Sequence, residues 1–435
     1  MTSPAAQNLP PLFTETLGLG VSPTLLGNQR ALERRAQGQQ VFHMGFGESP
    51  FPVPARLKEA MARETHHKQY LGTAGLPELK EKILNYYCKH YSLTKDDYDI
   101  IITPGSKLAI YAMQLAYEGD LVLPIPSWVS YIPQARLLHH KVIKVETTLD
   151  DAGYYLNAEA LRKTVQEARK NGLNPAKIIL NSPNNPTGLC IQADNLKEIA
   201  AVCADEGLVI IADDIYGMVD FSGARDTIAH YAPGRTVITS AMSKHLSLGG
   251  WRLGFALVPK SMSGLHEALC QIGSETWSSV ASPIQYAALE AYSEHPDIES
   301  FIADCTSIHT LMNRYIAKHL TELGIQCPAP QGAFYTYPDF APFRAELKKR
   351  NILTSEDLAS HLLSEYDLAS LPGTAFGEEP ERLTLRLSGC DYDGAKALEA
   401  YQKGATLDDD FMNTYAPNIK SSCDAFTTFI QMLQE

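Results

Sequence analysis

Six short apolar runs, interleaved with amphipathic helical stretches, constrain this chain more than any other feature of its sequence. The runs are Ile100–Ile102, Leu121–Leu123, Lys177–Leu180, Leu208–Ala212, Thr236–Thr239 and Phe255–Val258. Each is rich in aliphatic or β-branched residues and passes into polar, glycine or proline residues, as a buried strand does at its end. Helical periodicity covers Ala55–Thr65, Leu76–Tyr91, Lys107–Tyr117, Ala158–Asn171 and Asp194–Glu206. Strands that are apolar throughout and alternate with helices form mostly parallel sheets covered on both faces. The expected fold class is therefore α/β with a doubly wound sheet.

Past residue 297 the texture changes. A long helical stretch, Ile298 to Leu323, leads to strand-like Ala333–Tyr337, a helix over Ser355–Leu362 and a strand over Leu383–Leu387. This reads as a second, smaller α+β domain. We expect a large domain over residues 48–297 and a small one built from both chain ends, residues 1–47 and 298–435. Near the start, Pro23–Arg35 reads as a short helix. Near the end, Asp408-Asp409-Asp410 reads as a solvated helix start, and Ile419, Cys423, Phe426 and Ile430 mark one face of a closing helix.

With 435 residues, 45% of them hydrophobic, the chain can bury a core without a disulfide or metal staple. The eight cysteines lie too far apart for CxxC or zinc spacing, and the pairs His66-His67 and His139-His140 form no HxH or HxxxH pattern. No metal site is expected. A net charge of −13 disfavours nucleic acid. No apolar leader precedes Arg30, the first basic residue, and no apolar run approaches the roughly 20 residues that span a bilayer. The expected compartment is the cytoplasm, with no membrane partner.

Ligands of an open parallel sheet bind beyond the carboxyl ends of its strands. Past Ile100–Ile102 stands Thr103-Pro104-Gly105-Ser106-Lys107, a small-residue turn into a helix N-terminus, which suits a phosphate. Past Leu121–Leu123 stands Trp128, a stacking plate for a planar ligand. Past Lys177–Leu180 stands Asn185-Pro186-Thr187-Gly188. Past Leu208–Ala212 stand Asp213, Asp214 and Tyr216; a helix cap absorbs one carboxylate and leaves the other wanting a cation. Past Thr236–Thr239 stand Lys244 and then Arg252. Each item alone is an ordinary turn, cap or solvated charge. Together they describe a planar, phosphorylated ligand with a basic ring nitrogen and a carbonyl that condenses with lysine. Pyridoxal 5′-phosphate (PLP) meets that description. A nicotinamide site does not, because Gly18-Leu19-Gly20 and Gly45-Phe46-Gly47 are only fragments of GxGxxG.

These residues resemble the class I aminotransferases of PLP fold type I over roughly residues 41–390. The resemblance rests on Ser243-Lys244-His245-Leu246-Ser247-Leu248-Gly249-Gly250-Trp251-Arg252, on Asn185-Pro186-Thr187-Gly188, and on Asp213-x-x-Tyr216. Gly47, Tyr70, Gly332-Ala333-Phe334-Tyr335 and Arg386 match further positions. It implies that Lys244 holds PLP as the internal aldimine and later moves the proton. It also implies that Asp213 pairs with the ring nitrogen, that Asn185 and Tyr216 bond the 3′-oxygen, and that Trp128 stacks on the ring. Ser106, the Lys107 backbone N–H and Arg252 would bind the phosphate, with Tyr70 reaching it from the partner of a homodimer. Arg386 would grip the substrate α-carboxylate with help from the Gly47 N–H, beside Trp128 and Asn185.

The implied reaction moves an amino group between an α-amino acid and a 2-oxo acid. A lyase or oxidase of amino acids is the alternative on the same fold. Two departures from the family pattern stand out, at Ala241 and in the region after Asp391, which looks longer than the family's usual final helix. Ala241 occupies a position where the family has Ser or Gly, leaving a phosphate hydroxyl to Ser240 or Ser243. The stretch between Lys260 and Arg314 holds no Lys or Arg, so the arginine that one branch of aspartate aminotransferases places there is missing. Glu275 and Trp277 fall in that stretch, as candidates either for the substrate side chain or for an interface.

Overall fold

The computed structural model describes residues 17–435, and in it the six apolar runs join one further strand in a seven-stranded sheet. In chain order the strands are β1 (Tyr98–Thr103), β2 (Asp120–Ile125), β3 (Val142–Glu146), β4 (Pro175–Asn181), β5 (Val209–Asp213), β6 (Thr236–Ala241) and β7 (Gly254–Pro259). They lie side by side as β1-β7-β6-β5-β4-β2-β3. The pairs β2·β3, β2·β4, β4·β5 and β5·β6 are parallel. β7 runs antiparallel to both β1 and β6. The sequence grouped Phe255–Val258 with the parallel series because apolar content carries no direction. β3 escaped the sequence reading because it is a half-buried edge strand that alternates apolar and polar residues.

Side chains alternate between two covered faces. Ile100, Ile102, Ile178, Ile210 and Phe255 share one apolar cluster, while Ile101, Leu121, Ile179, Ile211 and Ala256 share the other. Ala109, Ile110 and Met113 of the helix Ser106–Ala116 cover the second face, together with Leu265 and Leu269. Leu79 and Ile83 of Pro77–His90, with Leu161 and Val165 of Ala158–Lys170, cover the first. Each such Ile or Leu contributes about 1.5–3 kcal/mol by leaving water. Local signals set the helix ends: the Asn157 side chain accepts from the Ala160 N–H at 2.8 Å and starts Ala158–Lys170.

The antiparallel β7 places the site. Its first residue, Gly254, pairs with Thr103 and Ala241, the last residues of β1 and β6. The segment that enters β7 therefore meets the segments that leave the parallel strands at one edge.

After the sheet, the helix Pro296–Glu322 runs for 27 residues, with proline in the first turn, where its missing N–H costs nothing. Tyr335–Thr336, Leu385–Ser388 and Leu371–Pro372 then form a small antiparallel sheet. The expected strand over Ala333–Tyr337 is shorter because Ala333 takes a left-handed φ of 59°. Phe42–His43 pairs in parallel with Leu368–Ala369, and the Ser388 N–H donates to the Met44 carbonyl at 2.7 Å, so both chain ends meet here. Asp408 caps Asp409–Tyr415, as its acidic run suggested. The helix Pro417–Gln434 buries Ile419, Cys423, Phe426 and Ile430. Residues 1–16 of the expected small domain lie outside the described residues.

Candidate active site

Asp213 closes β5 in register with Asn181 of β4 and Thr239 of β6. Its carboxylate is buried, and the Tyr131 hydroxyl donates to Oδ2 at 2.6 Å. Oδ1 is equally buried and has no partner within the chain. Burial pushes the Asp213 carboxyl up to about 6, against the pull of Tyr131 and a backbone N–H. Asn181 acts as a clamp: its Nδ2 donates to the Asp213 carbonyl at 2.7 Å, and its Oδ1 accepts from the Asn185 N–H at 2.7 Å. Asp214 forms no ion pair among the described residues. Burial and the neighbouring Asp213 charge instead push its carboxyl up to about 8, which keeps it largely protonated at neutral pH.

Lys244 stands in the turn after β6. Its Nζ donates to the Gly47 carbonyl at 2.9 Å and lies 5.7 Å from the centre of the Tyr216 ring. Burial lowers the Lys244 ammonium to about 8, with the Arg386 and Arg252 charges acting in the same direction. The Tyr216 hydroxyl bonds the Tyr335 hydroxyl at 2.8 Å.

At the other end, Gly105 takes a φ of +82° ahead of the helix Ser106–Ala116. A Cβ there would fall 2.4 Å from Nη2 of Arg252, so only glycine admits the guanidinium so close. Arg252 is held by the Pro104 carbonyl at 3.0 Å and the Gly249 carbonyl at 2.9 Å. No side chain caps this helix, so its first N–H groups are free for an anion. Lys107 Nζ lies 5.1 Å from the centre of the Trp128 ring, and Trp128 meets Tyr131 edge-on.

Arg386 is 1% exposed, yet forms no ion pair among the described residues. Nη2 donates to the Gly45 carbonyl at 2.7 Å, Nη1 donates to Asn185 Oδ1 at 3.2 Å, and Nε is buried without a partner. The Tyr335 and Phe376 rings flank it at 4.6 and 5.2 Å. A buried guanidinium costs several kcal/mol unless an anion pairs with it.

Asp213, Lys244, Arg252 and Arg386, with Asn181 and Trp128, line one cavity of about 390 Å³. Against known proteins, residues 39–400 match the family model of aminotransferase class I and II. The chain belongs to this family. It is 32% identical to an aspartate aminotransferase of Geobacillus stearothermophilus, over 86% of this chain and 93% of that one. It is 31% identical to a probable aspartate/prephenate aminotransferase of Aquifex aeolicus, over 82% of this chain and 89% of that one. The aspartate aminotransferase of Thermus thermophilus, solved with maleate, superposes with a TM-score of 0.79 at 26% identity, covering 96% of this chain and 99% of that one. The protein is a PLP-dependent aminotransferase, and its substrates are amino acids and 2-oxo acids.

The aminotransferase's own residues fit the cofactor. The orphaned Asp213 Oδ1 is an acceptor for a ring N–H, the Gly105–Ser106 opening beside Arg252 suits a phosphate, and Lys244 supplies the amine. Gly47, Ser106, Lys107, Trp128, Asn185, Asp213, Tyr216, Lys244, Arg252 and Arg386 all line the cavity. Tyr70 does not: it is 91% exposed. Glu275 and Trp277 do not line it either; Glu275 is exposed, and Trp277 packs against the helix Leu265–Thr276. Ser243 faces the cavity, while Ser240 is engaged with Tyr87 and the Asp214 carbonyl.

Sequence reasoning missed Tyr131 and Asn181. Their signals were position alone, three residues past Trp128 and at the last residue of β4. It also missed that Ser22, Thr24 and Leu25 reach the cavity, because nothing local to Pro23–Ala36 says where that helix docks. His66 and His67, a pair set aside on spacing, join Glu64 in bringing three ligating atoms within 4.8 Å of one another. There His67 is already bonded to Glu64 at 3.1 Å and stacked on Tyr286. No helix among the described residues is long and apolar enough to cross a membrane.

Proposed function

We propose that this aminotransferase takes an aspartate-type dicarboxylic amino acid as donor, with Lys107 meeting the distal carboxylate. One observation carries the reading. Once Arg386 is assigned to the α-carboxylate and Arg252 to the phosphate, Lys107 is, among the described residues, the remaining Lys or Arg on the cavity wall besides Lys244. A lysine suits the task because its point charge sits on a flexible stem and needs no fixed fork geometry. The names of the relatives support the reading, as does the dicarboxylate maleate in the Thermus structure.

PLP supplies the electron sink of the reaction. The chain's residues do the rest. Asp213 Oδ1 would accept from the ring nitrogen, and the Tyr131 hydrogen bond on Oδ2 leaves Oδ1 to be presented. Asn185 Oδ1 is occupied by Arg386, so its amide N–H group would be left to bond the 3′-oxygen, as would the Tyr216 hydroxyl. Trp128 would cover the ring, while Ser106, the Lys107 N–H and Arg252 would hold the phosphate. Arg386 orients the amino acid by its α-carboxylate, assisted by Gly47. An amine lowered to about 8 is partly neutral at physiological pH, so Lys244 can serve as nucleophile and as proton carrier.

The proposed assembly is a homodimer in which Tyr70 completes the partner's phosphate site. A phenol left 91% exposed, while its companions line the cavity, is the supporting observation. The proposed division keeps residues 48–297 as the cofactor-binding domain and gives 1–47 and 298–435 to the small one. The pairing of Phe42–His43 with Leu368–Ala369 supports it. A reducing cytoplasm agrees with eight unpaired cysteines.

The test is Lys107→Ala. We expect kcat/KM for aspartate to fall about 10- to 100-fold, the worth of a hydrogen bond to a charged group, while neutral amino donors are unaffected. An equal loss for both donor classes would refute the assignment.

A further inference from the structure

Phe376, which flanks the Arg386 guanidinium, ends the short turn Gly373–Phe376. The same turn touches the cofactor side, because the Phe376 carbonyl accepts from the Ser127 N–H at 3.0 Å, one residue before Trp128. What fixes the turn is a compact polar cluster. The Tyr337 hydroxyl donates to Glu378 Oε2 at 2.8 Å, and Thr384 Oγ1 donates to the same oxygen. Tyr337 and Thr384 are both buried, with their hydroxyls 3.2 Å apart. The Gly373 N–H donates to the Thr384 carbonyl at 2.9 Å. A Cβ on Gly373 would fall 2.1 Å from Thr384 Oγ1 and 2.6 Å from Glu378 Oε2, so the backbone of the turn rests directly on the cluster. The Tyr337 ring also meets Phe376 edge-on at 6.0 Å. Glu378 thus joins three segments: the strand end at Tyr337, the approach to Arg386 at Thr384, and the turn that carries Phe376.

We infer that Glu378 is a positioning residue for substrate binding: by accepting from Tyr337 and Thr384 it sets the turn that seats Phe376 against Arg386. The inference rests on the reading of Arg386 as the carboxylate grip. Its physical content is orientation. A guanidinium binds a carboxylate bidentately only when its plane is fixed, and a misplacement near 1 Å can cost about 100-fold. Without Glu378, two buried hydroxyls lose their common acceptor and the turn loses its footing.

In the holoenzyme, Glu378→Ala should raise KM for the amino donor about 10-fold, while kcat stays within about 2-fold and the cofactor absorbance is unchanged. Glu378→Gln keeps a carbonyl acceptor and should recover most of the loss. Combined with Arg386→Lys, the effect of Glu378→Ala should be less than multiplicative. An unchanged KM, a Gln variant as impaired as the Ala variant, or multiplicative effects would each overturn the inference. Where Glu378→Ala does not fold, Tyr337→Phe keeps the ring on Phe376 and removes one donor. It should raise KM a few-fold at constant kcat, and no rise overturns the inference. Arg386→Lys alone separates the two readings. No KM change there overturns the carboxylate grip and this inference with it, whereas a rise there without one in Glu378→Ala overturns the inference alone.

Discussion

The two halves of the cavity are built by different means. The cofactor half stands on neighbouring strands: Asn185 follows β4, Asp213 closes β5, Lys244 follows β6, and register alone brings them together. The substrate half is assembled from afar. Arg386 is held by Asn185 and by Gly45, 201 and 341 positions away in the chain. Once the sheet forms, its edge cannot present any other set of groups. The proposed grip on the substrate depends on the region after residue 297 meeting the segment around Gly45 at that edge. The difference teaches how damage should divide. Changes at the strand ends should strike chemistry and colour, and changes in the grip should strike substrate affinity.

The largest expected effect lies at the strand ends. Lys244→Ala should lower kcat by more than about 10⁴-fold, since it removes nucleophile and proton carrier together. The holoenzyme should also lose its pH-dependent yellow absorbance, and an unchanged spectrum would reassign the lysine. The native enzyme offers a gentler version of the test. A lysine amine ordinarily titrates at 10.5, and here burial lowers it to about 8. Only the neutral amine attacks a carbonyl, so PLP capture by the apoenzyme should quicken as pH rises through about 8. A midpoint near the ordinary value would show that Lys244 is not buried as described.

A smaller effect, of a different kind, belongs to the grip. Arg386→Lys should raise KM for the amino donor about 10- to 100-fold, because an ammonium cannot reproduce the bidentate fork. Cofactor absorbance should stay as it was. If that variant lost colour or kcat instead, the two halves would not be separable and the comparison would fail.

The same contrast explains what could be read in the sequence. Strand ends are local: Asp213-x-x-Tyr216 and Ser243-Lys244 follow apolar runs directly, so the rule that ligands sit beyond parallel strands found them one by one. Direction was not local, and β7 was placed in the sheet without its antiparallel sense. The contacts between the halves were invisible for the same reason. Tyr131 on Asp213, Asn181 between two strands, Thr24 at the cavity and Glu378 under Phe376 are pairings of residues whose types are ordinary and whose spacing carries no period. Arg386 itself was legible only through family resemblance. Nothing about a basic residue in Leu385–Ser388 says that it is buried without an acid.

The smallest expected effect sharpens the account of the strand ends. Ala241 stands where the family resemblance leads one to expect Ser or Gly, and two serines flank it within two positions. Ser243 faces the cavity, whereas Ser240 is 1% exposed and bonded to Tyr87 at 3.1 Å and to the Asp214 carbonyl at 3.3 Å. A hydroxyl already engaged behind the sheet cannot also serve a phosphate in front of it. Ser243→Ala should therefore weaken PLP retention about 10-fold, the worth of one hydrogen bond to a charged group, with little change in KM for the amino donor. Ser240→Ala should leave PLP retention alone and lower the thermal midpoint, because it strips Tyr87 of a buried partner. Equilibrium dialysis of both variants decides the matter. The reverse pattern would mean that β6 turns its last residues over when the phosphate binds, and that the strand ends are no more preformed than the grip.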